Sequence, residues 1–293
     1  MAEEHKEVDA LTGTATTGHE WDGLRELNTP LPRWWLWTFY ATIVWAVGYW
    51  IVYPAWPLIS DSTQGVFGWH TRTAIIEDMA ALKAQRGPMM DKLASASVQE
   101  IAADPQLSDF ARAVGRVAFA DNCAPCHGSG GGGSKGYPNL NDDDWLWGGK
   151  LADIEQTIRY GERSGDDNAR PGATMPAFGR DGVLKPAQIS NVADYVRSLS
   201  GLPVEKDADL AAGKKVFADN CVTCHGADGK GNRELGAPNL TDKVWLYGSD
   251  KQTIMQGIQN GRGGVMPAWG KRLDEPTLKS LAVYVWSFGG GEK

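Results

Sequence analysis

Cysteine and histidine are both scarce in this chain, which has four cysteines and five histidines among its 293 residues. All four cysteines lie in a stretch of ten residues that occurs twice. The first copy reads FADNCAPCHG from Phe119, and the second reads FADNCVTCHG from Phe217. No cysteine is left over for a separate disulfide framework. Two bridges within the copies would leave the histidine after each second cysteine unexplained.

The chain also lacks a surplus of basic residues and any long polar–apolar alternation. Its net charge of −7 gives no support to nucleic-acid binding, which needs a basic face. No segment alternates with period two for long enough to argue for a sheet. We therefore expect an all-α protein with no nucleic-acid partner, and the length suits about two domains.

One segment, residues 34–53, carries no charge at all. It reads WWLWTFYATIVWAVGYWIVY. A helix of this length spans about 30 Å, the thickness of the hydrocarbon core of a bilayer. Tryptophan and tyrosine lie at both ends, as in the interfacial belts of spanning helices. The alternative is a buried core helix. The segment predicts a single transmembrane helix that anchors the chain in the lipid bilayer.

The basic residues next to this segment predict its orientation. Arg25 and Arg33 precede it closely, and the next basic residue is Arg72. Positive charge favours the cytoplasmic side. We therefore expect residues 1–33 to be a cytoplasmic N-terminal tail and everything after the helix to lie outside the cytoplasm. A cleaved signal peptide is disfavoured, because many polar residues precede a run that is too long for one.

Residues 54–107 have the composition of a linker. Residues 54–70 are rich in proline, glycine and serine and are typical of an irregular exit from the membrane. Residues 71–103 are rich in alanine, and Gly87-Pro88 interrupts them. This pattern predicts two short helices, one that ends at the Gly-Pro pair and one that begins there.

The rest of the chain is an internal repeat. VGRVAFADNCAPCHG matches AGKKVFADNCVTCHG, YPNLNDDDWLWGG matches APNLTDKVWLYGS, and TMPAFG matches VMPAWG. The repeat predicts two homologous helical domains, at residues 108–201 and 207–290. We expect each domain to hold its own chemical groups.

The Cys-x-x-Cys-His motif is typical of c-type haem attachment. Two cysteines on one helical turn can each add to a vinyl group of one porphyrin, and the histidine then faces the iron. The motif predicts two covalently bound haems c, attached through Cys123, Cys126, Cys221 and Cys224. A shared zinc site is disfavoured by the long separation of the pairs and leaves both histidines unexplained. A thioredoxin-like redox pair is disfavoured by the duplication and by the lack of a βαβ pattern.

The axial iron ligands follow from the short supply of histidine. His127 and His225 each provide one ligand, and His5, His19 and His70 lie outside the repeats. Met175 and Met266 occupy matched positions before proline, so we predict that each is the sixth ligand of the haem in its own domain. The alternative is that they fill the core. A His/Met pair fills both axial sites and is typical of electron-carrying cytochromes c.

The surroundings of each haem can also be predicted. A ligating histidine normally donates its other N–H group to a carbonyl or carboxylate. Pro138 and Pro238 are the matched candidates for that acceptor. Trp145 and Trp245 are matched aromatic residues that we expect to line the haems, although plain core packing would explain them too.

With these motifs in view, each repeat resembles a class I cytochrome c. The whole chain is similar to the CcoP/FixP family, the dihaem subunit of the cbb₃-type cytochrome c oxidases. The resemblance rests on WDGLRELNTPLPRWW before the anchor, YPAWPL after it, and the two haem segments. The stretch before the anchor is the most specific part, because dihaem cytochromes in general lack it.

The resemblance implies a non-catalytic electron-transfer subunit in the inner membrane of a bacterium, with its haem domains in the periplasm. Such a subunit accepts electrons from a donor cytochrome c and passes them to the monohaem subunit. They then reach the catalytic subunit, which reduces oxygen and pumps protons. Two alternatives stay open: an anchored dihaem carrier of another complex, such as a membrane dehydrogenase, and a dihaem peroxidase. The matched methionines disfavour the peroxidase, which needs an open or displaceable ligand site.

Overall fold

A computed structural model describes residues 7–170 and 174–292 of the chain. Residues 1–6 of the predicted tail and residues 171–173 of the first predicted domain therefore lie outside the described residues. The chain divides between Ala84 and Gln85 into two compact units, and each is described by itself. The prediction of a mostly helical protein is confirmed.

The first unit begins with a β-hairpin that was not predicted from the sequence. Strand β1 (Thr16–Trp21) pairs antiparallel with strand β2 (Leu24–Leu27). The turn between them is Asp22-Gly23, and both residues have positive φ, at 49° and 84°. Asp-Gly is the sequence that such two-residue hairpin turns favour, because their backbone needs positive φ at both positions. The Asp-Gly pair indicated a hairpin, but the strands on either side are too short and irregular to show a period-two pattern in the sequence.

Helix α1 (Arg33–Val52) coincides with the uncharged segment. It is the one helix among the described residues that is long and apolar enough to cross a membrane, with a mean hydropathy of 1.3. None of its side chains is buried by the rest of the protein. A soluble core helix would be covered by its neighbours, so the exposed apolar surface favours the membrane over that alternative.

The predicted break at Gly87-Pro88 is wrong. Helix α2 (Thr71–Ser95) continues through Pro88, and α3 (Val98–Ala103) follows after a short interval. Proline removes one backbone hydrogen bond, but alanine, leucine, lysine and methionine on both sides favour the helix strongly enough to carry it through. The actual break is set by Ser97, whose side chain accepts from the Glu100 N–H while Glu100 accepts from the Ser97 N–H. This capping box starts a new helix.

The two copies of the repeat fold into matching helices. The first copy contains α4 (Pro105–Asn122), α5 (Ala124–His127), α6 (Leu151–Tyr160) and α7 (Pro186–Leu199). The second copy contains α8 (Leu210–Asn220), α9 (Val222–His225), α10 (Lys251–Asn260) and α11 (Glu275–Trp286). The order of elements is therefore the one that the repeat predicts.

The closing helices of the two copies are exchanged. One core cluster joins α4 and α6 of the first copy to α11 of the second, through Phe119, Ile158 and Leu281. The other joins α8 and α10 of the second copy to α7 of the first, through Phe217, Ile258 and Val192. We name these the Phe119 cluster and the Phe217 cluster. Neither copy closes its own core, which differs from the expectation of two self-contained domains.

Glycine permits the helix crossing in each cluster. A Cβ atom on Gly115 of α4 would lie 2.3 Å from the Ser280 carbonyl oxygen of α11. A Cβ atom on Gly213 of α8 would lie 2.3 Å from the Asn191 carbonyl oxygen of α7. The two backbones touch at these points, so no side chain fits between them. The repeat preserves both glycines because both crossings need them.

Ion pairs hold both exchanged helices. Arg159 of α6 donates to both carboxylate oxygens of Glu275 on α11, at 2.7 Å each. Lys251 of α10 lies 2.8 Å from Asp194 of α7, a carboxylate that is only 2% exposed. A buried charge without its partner is costly. Each pair therefore ties a closing helix to the opposite copy.

Candidate cofactor site

Both Cys-x-x-Cys-His motifs fold as a single helical turn at the end of a longer helix. In the first copy the N–H groups of Cys126 and His127 donate to the Cys123 carbonyl oxygen, at 3.1 and 2.9 Å. The second copy repeats these bonds at Cys221, with distances of 3.2 and 2.9 Å. Residues three and four apart share one face of a helix. Both thiols and the imidazole of each motif can therefore contact the same planar group.

A proline carbonyl fixes each histidine ring, as the sequence predicts. His127 Nδ1 lies 3.0 Å from the Pro138 carbonyl oxygen, and His225 Nδ1 lies 3.1 Å from that of Pro238. With Nδ1 as the donor, Nε2 is left as the lone-pair nitrogen that can bind a metal. Burial lowers the pKa of His225, against the opposing effect of this hydrogen bond, and so favours the neutral ring.

The methionines lie with the opposite copies. Met266 packs on the Phe119 cluster with Cys123, and Met175 packs on the Phe217 cluster with Cys221. The prediction that each methionine accompanies the motif of its own copy is therefore wrong. The repeat matches the two methionines to each other, but it holds no information about which copy each one contacts.

Backbone hydrogen bonds hold each methionine in its exchanged position. Met266 N–H donates to the Glu162 carbonyl oxygen and its own carbonyl accepts from Glu162, both at 3.0 Å. Met175 and Arg262 form the matching pair, at 2.9 and 3.2 Å. Glu162 and Arg262 lie two residues after the ends of α6 and α10. Each methionine loop is thus bound to the end of the other copy's helix.

Glycine makes this close approach possible as well. A Cβ atom on Gly161 would lie 2.3 Å from the Met266 carbonyl oxygen, and one on Gly261 would lie 2.5 Å from that of Met175. Both glycines have positive φ, at 73° and 76°. This role was not predicted, although glycine at the matched position after each helix indicated a turn with positive φ or a close backbone contact.

The predicted tryptophans lie in the right clusters but differ in their partners. Trp145 packs on the Phe119 cluster and donates from Nε1 to the Gly290 carbonyl oxygen at 2.6 Å. Trp245 packs on the Phe217 cluster, and its buried Nε1 has no hydrogen-bond partner among the described residues. A buried indole N–H normally finds an acceptor. An acidic group of a bound cofactor is a suitable one.

The first thiol of each motif is unsuited to redox catalysis. Burial raises the pKa of Cys123 and of Cys221 to about 11, and the second thiol of each motif adds to the effect. Reactive cysteines of thiol oxidoreductases instead have a lowered pKa, because the thiolate is the nucleophile. The environment of these cysteines therefore disfavours the thioredoxin-like alternative.

Two further aromatic residues support the histidine loops from the opposite copy. A Cβ atom on Gly236 would lie 2.1 Å from Trp147 Cζ2, and one on Gly136 would lie 3.4 Å from Tyr247 Cε1. Gly136 and Gly236 precede the Tyr-Pro and Ala-Pro pairs whose proline carbonyls hold the histidines. Trp147 and Tyr247 were not among the predicted site residues, although they occupy matched positions in WLWGG and WLYGS.

These residues together fit a haem c at each motif. Each site offers two thiols and an imidazole on one turn, a free Nε2, and a thioether from the methionine in the same apolar cluster. Imidazole and thioether are the axial pair of cytochromes c. Among the described residues no group of three histidine, cysteine or acidic side chains is placed to hold a metal ion. The zinc alternative has no support in this arrangement.

Comparisons with known proteins agree with the arrangement. The model for the N-terminal domain of cytochrome oxidase-cbb3, FixP, matches residues 13–60. The cytochrome c model matches residues 113–200, and the model for cytochrome c oxidase, cbb3-type, subunit III, matches residues 208–285. The cbb3-type cytochrome c oxidase subunit FixP of Bradyrhizobium sp. (strain ORS 278) is 61% identical, over 99% of this chain and 99% of its own.

The chain belongs to the CcoP/FixP family of cbb3-type cytochrome c oxidase subunits. Among other relatives, the FixP subunit of Azorhizobium caulinodans is 61% identical over 98% of this chain and 97% of its own. The CcoP subunit of Cereibacter sphaeroides is 50% identical over 94% of this chain and 95% of its own. Membership of the CcoP/FixP family makes the chain an electron-transfer subunit of a membrane oxidase, with cytochrome c domains that imply haem c.

Proposed function

We propose that the chain binds two haems c covalently and relays electrons from a donor cytochrome c to the monohaem subunit of the oxidase. From there the electrons reach the catalytic subunit. The arrangement that supports this most directly is the pair of matching sites, each with an imidazole and a thioether from different copies in one apolar cluster. When bound, the haem supplies an iron that accepts and returns one electron.

The protein groups determine how each site behaves. Cys123, Cys126, Cys221 and Cys224 would form thioether bonds to the two porphyrins. His127 with Met266 would hold the iron at the first motif, and His225 with Met175 would hold the iron at the second. With an imidazole and a thioether on each iron, no position would be left for a substrate, and the subunit would not be catalytic by itself. A thioether ligand also raises the reduction potential, which suits a step that delivers electrons toward oxygen.

The surrounding residues position these ligands and limit access of water. The Pro138 and Pro238 carbonyls hold the imidazole rings by hydrogen bonds to Nδ1. Trp145 and Trp245 would line the haems, and the buried Nε1 of Trp245, which has no hydrogen-bond partner among the residues that the structure describes, would be available to a haem propionate. Apolar cover of this kind lowers the reorganisation that accompanies a change of iron charge.

We further propose that α1 lies in the inner membrane, that the N-terminal tail is cytoplasmic, and that both haem sites are periplasmic. Arg25 and Arg33 precede α1, and positive charge favours the cytoplasmic side. A reporter that is active only in the periplasm should therefore work when fused after the last residue. A silent C-terminal fusion together with an active N-terminal one would reverse this topology.

Counting haems tests the central proposal. The pyridine haemochrome spectrum of the purified full chain should give two haems c per chain. The double variants Cys123→Ser/Cys126→Ser and Cys221→Ser/Cys224→Ser serve as matched controls, and each should retain one haem. Extraction of the haem by acidified acetone, or an unchanged haem count in either double variant, would contradict covalent attachment at these motifs.

A further inference from the structure

The segment that follows α1 exposes an unusual amount of apolar surface. We name residues 54–70 the exit loop. Six large apolar side chains of this loop are exposed, from 47% at Trp69 to full exposure at Ile59; the set is Trp56, Leu58, Ile59, Val66, Phe67 and Trp69. Asp61 is the only acidic or basic residue in the loop before His70. A loop in contact with water would carry far more polar surface.

The exit loop folds back onto the end of α1. The N–H groups of Val66 and Phe67 donate to the carbonyl oxygens of Ile51 and Val52, at 3.0 and 3.1 Å. These are two of the last carbonyls of the helix, which have no partner within it. Gly65 permits the approach, because a Cβ atom there would lie 2.3 Å from the Val52 carbonyl oxygen.

Internal contacts give the loop a defined shape. Thr63 accepts at Oγ1 from the Trp56 N–H at 3.1 Å and donates its own N–H to the Trp56 carbonyl at 2.9 Å. Tyr53 at the helix end makes edge contacts with Phe67 and Trp69, and Trp50 of the helix makes one with Trp56. The loop is therefore a folded cap on α1.

A helix that ended in open water would not need such a cap. Water would hydrogen-bond the last carbonyls, whereas the apolar part of a bilayer leaves them unsatisfied unless the protein supplies donors. The exit loop supplies those donors and surrounds them with tryptophan, phenylalanine and aliphatic side chains. Tryptophan favours the boundary between lipid headgroups and acyl chains.

We propose that the exit loop is a membrane-docking surface that lies in the lipid interface at the C-terminal end of α1. Its exposed side chains enter the boundary between headgroups and acyl chains, and its backbone closes the end of the helix there. The partner is the lipid itself. The continuity of the loop with the spanning helix and its near absence of charge favour lipid over a second protein surface.

Spin-label accessibility tests this proposal on the full chain in nanodiscs of phosphatidylcholine and phosphatidylglycerol. The variants Ile59→Cys and Val66→Cys each carry one nitroxide on an exposed side chain of the exit loop. Val183→Cys is the matched control, since Val183 is an exposed aliphatic residue of the other unit. Oxygen concentrates in lipid and a nickel chelate stays in water, so the ratio of the two collision rates reports lipid contact.

The loop labels should give an oxygen-to-nickel collision ratio severalfold higher than the label at position 183. Equal ratios at all three positions would overturn the proposal. Labels that meet water in the nanodisc but are shielded from both reagents in the intact oxidase would also overturn it, in favour of a protein partner. Single labelling requires that haem occupies all four motif cysteines, as proposed above. The mass of the labelled chain shows whether they have taken up extra labels. A failure of haem attachment can therefore be distinguished from a failure of the exit loop to contact lipid.

Discussion

At the scale of single residues, Met175 and Met266 each lie beside the Cys-x-x-Cys-His motif of the opposite copy. Each packs in the cluster of the opposite copy and is hydrogen-bonded there through its backbone. Replacement of a thioether by imidazole should lower the potential of the site that loses it. Since axial ligands set haem potentials over roughly 0.8 V, we expect a fall on the order of 0.1 V or more.

We therefore expect Met266→His to lower the midpoint of the haem at Cys123 and Cys126, and Met175→His to lower that of the other. Each substitution is placed in the double-serine variant that keeps a single haem, so the titrated haem is known. With only the first-motif haem present, Met266→His should shift the midpoint and Met175→His should leave it nearly unchanged. The reverse pattern would show that each methionine serves its own copy.

Asp144 gives a pH-dependent prediction. Burial, together with the neighbouring carboxylates of Asp242 and Asp142, raises its pKa from 3.8 to about 6. The folded protein therefore holds this proton more tightly than the unfolded chain does. Stability from this group is complete below pH 3.8, falls as the pH rises from 3.8 to about 6, and is absent above that.

The variant Asp144→Asn should consequently unfold at a higher temperature than the parent at pH 7.5, and the difference should disappear near pH 4. The side chain is only partly buried, so solvent screening keeps the gain modest. Asp143→Asn removes the same charge from the exposed neighbour and serves as the control. Thermal unfolding monitored by circular dichroism measures both. An equal gain for the two variants would assign the effect to net charge alone.

At the scale of elements, the crossing of α7 and α8 depends on Gly213. A Cβ atom there would lie 2.3 Å from the Asn191 carbonyl oxygen and 2.8 Å from Tyr195 Cβ. Gly213→Ala should force the helices apart and destabilise the unit by about 1–3 kcal/mol, as overpacking does. At roughly 2–4 °C per kcal/mol for a unit of this size, the melting temperature should fall measurably.

Gly48→Ala is the matched control for that substitution. Gly48 also lies within a helix, α1, but a Cβ atom there meets nothing within 4 Å. Alanine in open space stabilises a helix by roughly 0.5–1 kcal/mol relative to glycine. Scanning calorimetry should therefore show a loss of stability for Gly213→Ala and none for Gly48→Ala. A loss of stability at Gly48 equal to that at Gly213 would show that helix contact is not the cause.

The elements differ in how far their sequence predicts them. The uncharged run identifies α1, and the repeat identifies the order of helices in both copies. The His127–Pro138 contact follows from the motif and the need for a ring acceptor. The β-hairpin was not predicted because its strands are short, although the Asp22-Gly23 pair indicated a hairpin turn. The continuity of α2 through Pro88 was missed because the flanking helix propensity outweighs one lost hydrogen bond.

The exchange of α7 and α11 could not be predicted from the repeat. A repeat shows which segments are homologous. Because α7 and α11 are homologous, either helix can make the same contacts with the core of either copy. The choice depends on chain connectivity. The linker between Leu199 and Leu210 is short, so α7 reaches α8 directly, and consecutive elements commonly pack together. The exchange of the methionine loops accompanies that of the helices they precede.

At the scale of the whole molecule, the exchange makes the two copies of the repeat depend on each other for a closed core. The first segment supplies Phe119 and Ile158 to a core that Leu281 of the second segment completes. The second supplies Phe217 and Ile258 to a core that Val192 of the first completes. Such exchange is known from domain-swapped dimers. Here one chain contains both partners, and this arrangement joins the two Cys-x-x-Cys-His sites into one body.

Splitting the chain in the linker tests this dependence. Residues 1–203 and 204–293, the latter with a secretion signal, should be poorly folded when expressed alone, because each exposes an open apolar core. Expressed together, they should form a one-to-one complex that carries two haems. Leu281 is fully buried, so Leu281→Asp in the second fragment should abolish the complex and serves as the control. Gel filtration and haem counting measure the outcome. Two separate monomers, each with one haem and a cooperative unfolding transition, would show instead that the copies are independent domains.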